Sequence, residues 1–368
     1  MGSMGKIISF FNHKGGVGKT TLVYNLGYAL AQKLQESDKK VLLIDADSQM
    51  NLTSSVYGFA NDTEYTPDVA SKWNEMSASY LSIKDIFNAS ITNEACDPSK
   101  RYYPSKHSNN IHLLSGSLDL PSIESELLTF ANTGGENIRK IFNRIENNIR
   151  NLLTEYEFII VDTAPSANSI VNAILVMISD YFVAPVTPSF YSMQAIQNLT
   201  TIIGNWRTKM LDKVKHMPRG EVGISCDVKF LGICVQMVRP FAGKRNIKGI
   251  SHAHYEWSGN INNSCNSFAS SDKVDERVFE KIFPNQSPFV IQLCRDITPE
   301  LRSISEKCGK PVICITQNDC DANKNSKSKK VTDITNPKNP NGRTNNHYAM
   351  KKAITDQINF IADGLLKL

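Results

Sequence analysis

The run Gly15-Gly16-Val17-Gly18-Lys19-Thr20 follows a short apolar segment at 6–12 and precedes apolar residues at helical spacing, which leaves few folds open to this chain. Small residues let successive backbone N–H groups turn toward one point. The N-terminus of the following helix adds its positive end, so the segment reads as a cradle for phosphate oxygens. Such a cradle needs a strand to deliver the chain and a helix to carry it away. Leu22, Leu26, Leu30 and Leu34 keep the helical interval over 20–35, and 41–44 is the next strand, ending at Asp45-Ala46-Asp47. Strand, loop, helix and strand in about forty residues form a βαβ unit with parallel strands and a right-handed crossover.

The same grammar returns at 158–161, an apolar strand ending at Asp162-Thr163-Ala164-Pro165-Ser166, with a helix expected through about Ile178. The runs 181–186, 229–235 and 311–315 read as further strands. The expected fold is therefore α/β, a doubly wound and mostly parallel sheet with flanking helices. Residues 1–3 read as a cloning remnant before Met4, and 4–368 as a single domain with insertions at about 58–110, 239–286 and 318–346. No apolar run approaches the roughly 18 residues of a membrane span. The eight cysteines form no C-x-x-C pair, so free structural thiols are expected rather than a zinc or disulfide framework.

The chemistry gathers at strand ends. Lys19 is placed to reach the β- and γ-phosphates of a nucleotide, and the Thr20 hydroxyl to ligate Mg²⁺. Asp162 stands where a Walker-B carboxylate belongs, although an Asp ending a strand also serves as a helix cap. Asp45 and Asp47 bring two more carboxylates to the same sheet edge, where open α/β sheets bind ligands. Asn323-Lys324-Asn325-Ser326 fails the guanine-reading pattern at its last position, which favours ATP.

His13 occupies the position six before Lys19 where a Gly is usual, and Lys14 precedes the glycines. Lys14-Gly15-Gly16-Val17-Gly18-Lys19-Thr20-Thr21 resembles the deviant Walker A loop of the ParA/MinD partition ATPases, a subdivision of the P-loop NTPase fold. The stretch 41–53 is similar to that family's second motif, with Ser48 where Pro is usual. So are 162–166, 181–188 and 309–312, and 230–233 followed by Met237 is similar to the ParA strand leading toward the adenine pocket. The match is closer to ParA than to MinD, without the N-terminal helix-turn-helix of longer plasmid ParA proteins.

The resemblance implies nucleotide binding by Lys14, Gly15, Gly16, Val17, Gly18, Lys19, Thr20, Thr21 and Met237. It implies a metal shell from Thr20, Asp45 and Asp162, and catalysis by Lys14, Lys19 and Asp47. Lys14 would reach across a homodimer to the partner's ATP, and Asp47 would orient or activate water. It further implies nonspecific DNA binding in the ATP state, stimulation by a ParB-like centromere-binding or adaptor protein, and a cytoplasmic, nucleoid-associated location.

The formal charge of +5 is modest, but residues 205–260 hold ten basic side chains against four acidic ones, about +6. Lys209, Lys213, Lys215, Arg219, Lys244, Arg245 and Lys248 in or near this stretch, with Arg295, Arg302 and Lys307, are the candidate DNA contacts; a solvated face is the bland alternative. The competing track is a membrane surface, suggested by Ile354, Ile358, Ile361 and Leu365 at helical spacing. That stripe reads more readily as a terminal helix packed on its own domain. A positioning ATPase for a protein array or microcompartment carries the same motifs. Fe–S carriers need cysteines that this chain does not place.

Overall fold

Strands covered on both faces read as continuous apolar runs. β1 (Lys6–Phe10), β2 (Lys40–Ala46), β5 (Tyr156–Thr163) and β6 (Tyr181–Val186) are buried over nearly their whole length. The computed structural model describes residues 5–58, 74–132, 136–212, 224–239, 246–247, 250–269, 279, 282–283, 286, 289–323, 334–338 and 346–368. With β3 (Tyr103–Pro104), β4 (Ile111–Leu114), β7 (Lys229–Val238) and β10 (Val290–Arg295), these strands form one eight-stranded sheet. Its order is β10-β7-β6-β1-β5-β2-β4-β3, and β3 alone runs antiparallel to its neighbour. Pro104 sits on that edge strand, where its missing N–H costs no ladder bond. A short hairpin of β8 (Asn246–Ile247) and β9 (Ile250–Ser251) stands apart from the sheet.

Helices cover both faces. On one lie α3 (Ile83–Thr92), α4 (Leu120–Asn132), α5 (Glu136–Arg150), α6 (Ile170–Met177) and α7 (Phe190–Asp212), together with α8 (His252–Ser264). On the other lie α1 (Lys19–Lys33), α2 (Asn51–Tyr57), α9 (Pro299–Cys308), α10 (Gln317–Ala322) and the terminal α11 (Asn346–Leu365). This is the expected doubly wound architecture.

Three details differ from the sequence reading. Residues 311–315 form a 3₁₀ turn at Val312–Cys314 rather than a strand. Pro311 brings no N–H to a ladder, and the Ile313 N–H donates to Asn25 Oδ1 at 3.2 Å. The strand β10 was not anticipated, because it follows the polar stretch read as an insertion. Within 58–110, α3 starts at a capping box of Ser82 and Asp85 and buries Ile83, Ile86 and Phe87 in the main core, so part of that segment is a layer of the sheet. The cloning remnant at 1–3 and residues 324–333 and 339–345 of the third insertion lie outside the described residues.

The terminal stripe is spent on packing. Ile354, Ile358, Ile361 and Leu365 are all at least 95% buried, and α11 lies against α1 and β10. Among the described residues, no helix is long and apolar enough to cross a membrane. All eight cysteines are free, and burial raises the thiols of Cys265 and Cys294 well above the usual range.

Candidate nucleotide site

β1, β2 and β5 lie side by side, with Phe10 paired to Asp162 and Asp45 to Asp162, so three chain segments end together at one edge. The loop after β1 closes a cleft of about 490 Å³ lined by Gly16 to Thr21, Asp47, Asn51, Pro165, Met237, Arg302 and Glu306.

The cradle is built by its glycines. Gly16 (φ 70°) and Gly18 (φ 81°) take the left-handed conformation that glycine alone adopts without strain. A Cβ at Gly16 would meet nothing within 4 Å, so the loop faces open space, whereas one at Gly18 would meet the Gln236 side chain at 3.5 Å. Val17 is buried and anchors the loop from beneath. The N–H groups of Gly15, Gly16, Val17 and Gly18 donate to no described residue. Unspent donors converging at a helix N-terminus are an anion site.

Lys19 folds back over this loop, with Nζ donating to Asn12 O at 3.1 Å and Lys14 O at 3.5 Å. Burial lowers its pKa, opposed by the nearby carboxylates of Asp162 and Asp47. Asn12 holds the frame in place: its amide donates to Pro185 O at 2.8 Å, and its carbonyl accepts the Lys14 N–H at 3.0 Å. Lys14 extends the other way, its Nζ 3.3 Å from Ser189 Oγ, 3.4 Å from Ser192 Oγ and 5.7 Å from the centre of the exposed Tyr191 ring.

The three carboxylates occupy three different environments. Asp45 is fully buried, and both its oxygens are engaged. Oδ2 accepts Thr53 N at 2.8 Å and Thr53 Oγ1 at 2.7 Å, and Oδ1 accepts Asp47 N at 3.2 Å. Burial pushes it up to about 6 against these bonds. Asp47 is half-buried at the cleft, and its Oδ1 accepts Gln49 N at 2.9 Å. The Thr20 side chain beside Asp162 favours its charged form, while Asp162 Oδ1 is buried without any partner among the described residues. Burial, then the Asp45 charge, pushes Asp162 up to about 8.

An unpartnered buried carboxylate oxygen beside a threonine hydroxyl fits a hard divalent cation such as Mg²⁺. Among the described residues no group of three or more His, Cys, Asp or Glu could hold a metal unaided.

Asp162 is expected to make the nucleotide-free protein pH-sensitive. Its folded pKa lies above the value of about 3.9 for an unfolded Asp, so its stabilising contribution is complete below about pH 4 and is lost as pH rises toward 8. The urea midpoint is expected to fall between pH 5 and 8, and Asp162→Asn to flatten that slope. Urea titrations across the range check this, and an unchanged slope in Asp162→Asn would show that other groups set it.

Met237, with a left-handed φ of 59°, and Thr21 both line the cleft. Arg302 is exposed on α9 and lines the nucleotide cleft with Glu306, 3.7 Å from Asp296. Lys209 is exposed near the end of α7, Arg295 is half-buried at the end of β10, and Lys307 is half-buried in the last turn of α9. Lys213, Lys215, Arg219, Lys244, Arg245 and Lys248 lie outside the described residues.

Sequence reasoning missed Asn12, Thr53 and Asn172. The Asn172 amide donates to Ala164 O at 2.8 Å and Ser166 O at 2.9 Å and so shapes the loop after Asp162. Its position inside an apolar helix, at 0% exposure, was the available signal, since a buried amide must find partners.

A phosphate-binding loop between β1 and α1, with carboxylates at the ends of β2 and β5, defines an α/β P-loop nucleotide-binding protein. A family model described as an AAA domain matches residues 5–216. The Soj sporulation initiation inhibitor protein of Bacillus subtilis is 28% identical over 201 residues, covering 54% of this chain and 65% of Soj. The chromosome partitioning protein ParA of Myxococcus xanthus is 28% identical over 246 residues, covering 67% of this chain and 68% of that protein. The chain spans 62% to 68% of the length of the first curated relatives it matches. The solved structure of apo McdA from Cyanthece shares the fold at a TM-score of 0.51 and 17% identity, covering 83% of this chain and 91% of that one. The chain belongs to this AAA-domain family and, within the P-loop ATPases, to the ParA/MinD superfamily with the deviant Walker A loop.

Proposed function

We propose that the chain is an ATP-dependent positioning ATPase of the ParA type: it dimerises on ATP, binds DNA without sequence preference in that state, and releases it on hydrolysis. The cargo is plasmid or chromosomal DNA, and a ParB-like protein stimulates turnover. The observation that carries this reading is Lys14. Lys19 already serves the loop within its own chain, so a second ammonium held at the loop's outer side by two serine hydroxyls supports a role toward another molecule's nucleotide.

In this reading the N–H groups of Gly15 to Gly18 and Lys19 bind the phosphates of ATP, with Thr21 and Met237 flanking the nucleotide. Thr20 and Asp162 hold Mg²⁺, which screens the β- and γ-phosphate charge. Asp45 organises that shell indirectly, by fixing the turn that presents Asp47. Asp47 takes the proton of the attacking water, and Lys14 of the second copy neutralises charge that builds on the phosphates.

Lys209, Arg295 and Lys307, together with the basic residues between 213 and 248, supply the DNA-facing charge, and pairing two copies doubles it. The membrane reading loses its main support, since the terminal stripe is buried. Co-sedimentation with nonspecific duplex DNA, with and without ATP, tests the proposal. Binding is expected only with ATP and is expected to weaken steeply as salt rises. Equal binding without nucleotide, or a flat salt response, would remove DNA as the track.

A further inference from the structure

Gly116, two residues past the end of β4, is buried against the turn that carries Asp47. That turn closes with the Met50 N–H donating to Asp47 O at 2.9 Å. Met50 takes a left-handed φ of 54°, which persists for a methionine only where its surroundings impose it. A Cβ at Gly116 would stand 3.0 Å from Met50 Cγ, 3.1 Å from Asp47 O and 3.2 Å from Asp45 Cγ. Few real Cβ atoms come so close, so a side chain here must displace the turn by a few tenths of an ångström. The φ of Gly116 lies outside the left-handed region, so space rather than backbone conformation excludes an alanine.

Hydrogen bonds pin this glycine on both sides. Its N–H donates to Thr53 Oγ1 at 2.9 Å, Thr53 Oγ1 donates to Asp45 Oδ2 at 2.7 Å, and Asp45 Oδ1 accepts the Asp47 N–H at 3.2 Å. Behind it, Ser115 bridges in parallel to Ser82: the Ile83 N–H donates to Ser115 O at 2.8 Å and the Ser115 N–H to Leu81 O at 3.3 Å. Asp45, Thr53 and Ser115 are buried, so water does not compete for these bonds. The start of α3, inside the segment read from the sequence as an insertion, thereby backs the turn that presents Asp47. Close packing alone would account for the missing side chain. The N–H spent on the hydroxyl that fixes Asp45 ties Gly116 to the turn itself.

The geometry points to Gly116 as a positioning residue for ATP hydrolysis: backed by α3, it sets where the turn holds Asp47 and so governs turnover rather than nucleotide affinity. The inference rests on the role given to Asp47 above. The phosphate loop at 15–21 makes none of these contacts, which is why affinity is spared.

The test measures turnover at saturating ATP and affinity for a fluorescent ATP analogue in the full chain. Misplacing a reacting group by about 1 Å costs about a hundredfold in rate, so the smaller shift forced by Gly116→Ala is expected to lower turnover by about tenfold. Affinity is expected to stay within about twofold. The same substitution is then made in Asp47→Asn. A residue that acts through Asp47 has nothing left to position there, so the residual turnover is expected to change by less than about twofold. A merely loosened fold would lower both backgrounds alike. Should Gly116→Ala fail to fold, Thr53→Val reads the same relay without an added methyl group: turnover is expected to fall with affinity kept, and Thr53→Ser, which retains the hydroxyl, to stay near normal.

Full turnover in Gly116→Ala, or in Thr53→Val where that variant stands in for it, overturns the positioning role whatever Asp47→Asn does. So do equal losses in the two backgrounds, or an affinity that falls in step with turnover. Normal hydrolysis by Asp47→Asn, with turnover lost and affinity kept in Gly116→Ala, refutes the role of Asp47 alone and leaves the turn as what Gly116 sets.

Discussion

Lys14→Ala is expected to lower ATP turnover by about a thousandfold while leaving the affinity of a single chain for ATP within a few-fold of normal. The expectation follows from what each lysine does. Lys19 is buried and bonded to Asn12 O within its own chain, so the phosphate cradle of one chain does not draw on Lys14. Among the described residues the Lys14 ammonium holds two long hydrogen bonds, to Ser189 and Ser192, and a contact with an exposed tyrosine ring. Leaving such a position costs on the order of 1 to 2 kcal/mol. A cation delivered in trans to a phosphoryl-transfer site is worth about 10³ or more in rate, roughly 4 kcal/mol in the transition state, which exceeds the cost of leaving this position.

Light scattering with ATP is expected to show monomers for Lys14→Ala and dimers for the unaltered chain, and equilibrium binding of a fluorescent ATP analogue to show near-normal affinity. Lys14→Arg separates charge from shape, because the planar guanidinium cannot occupy the seat of a compact ammonium. Dimerisation and turnover unchanged in Lys14→Ala would remove this residue from the mechanism.

The same loop shows what was legible in the sequence. Glycine spacing, the flanking strand and the helical interval fixed the cradle and the parallel sheet, because those features are local and each has one physical use. The environments of the carboxylates were not legible. Asp45, Asp47 and Asp162 look alike as letters at strand ends, yet Thr53, eight residues on, and the Asp47 N–H engage both oxygens of Asp45, and the same fold leaves one oxygen of Asp162 bare.

Arg302 was read as a DNA contact because it precedes the 309–312 segment that resembles ParA proteins, and nothing in that spacing places it at the cleft. Only the packing of α9 beside the loop puts it on the nucleotide cleft. The Ile354 to Leu365 stripe has the same periodicity whether it faces lipid or protein, and the presence of α1 and β10 beneath it decides between them.

Asp47→Ala is expected to trap an ATP-bound dimer, with turnover reduced by about 10² to 10⁴, the usual worth of a positioned base. Asp47 has two separable duties. Its Oδ1 accepts Gln49 N at 2.9 Å and its own N–H bonds Asp45, so it shapes the turn. Among the described residues its Oδ2 accepts nothing and Asp47 lines the cleft, which leaves an oxygen to take a proton from water.

Asp47→Asn keeps an acceptor for Gln49 and removes the base, so it divides the two. If the turn were the whole role, the asparagine variant would hydrolyse ATP normally and only the alanine variant would fail. If proton transfer is the role, both variants lose turnover to a similar degree and both hold the dimer after excess nucleotide is removed. Thr53→Ala supplies the converse: it takes two hydrogen bonds from the Asp45–Thr53–Gly116 relay and disturbs the turn while Asp47 remains ionisable. Its loss is expected to be partial, with the dimer still dissociating on hydrolysis. Single-turnover hydrolysis and dimer lifetime measured for all three variants check the assignment, and normal hydrolysis by Asp47→Ala would sink it.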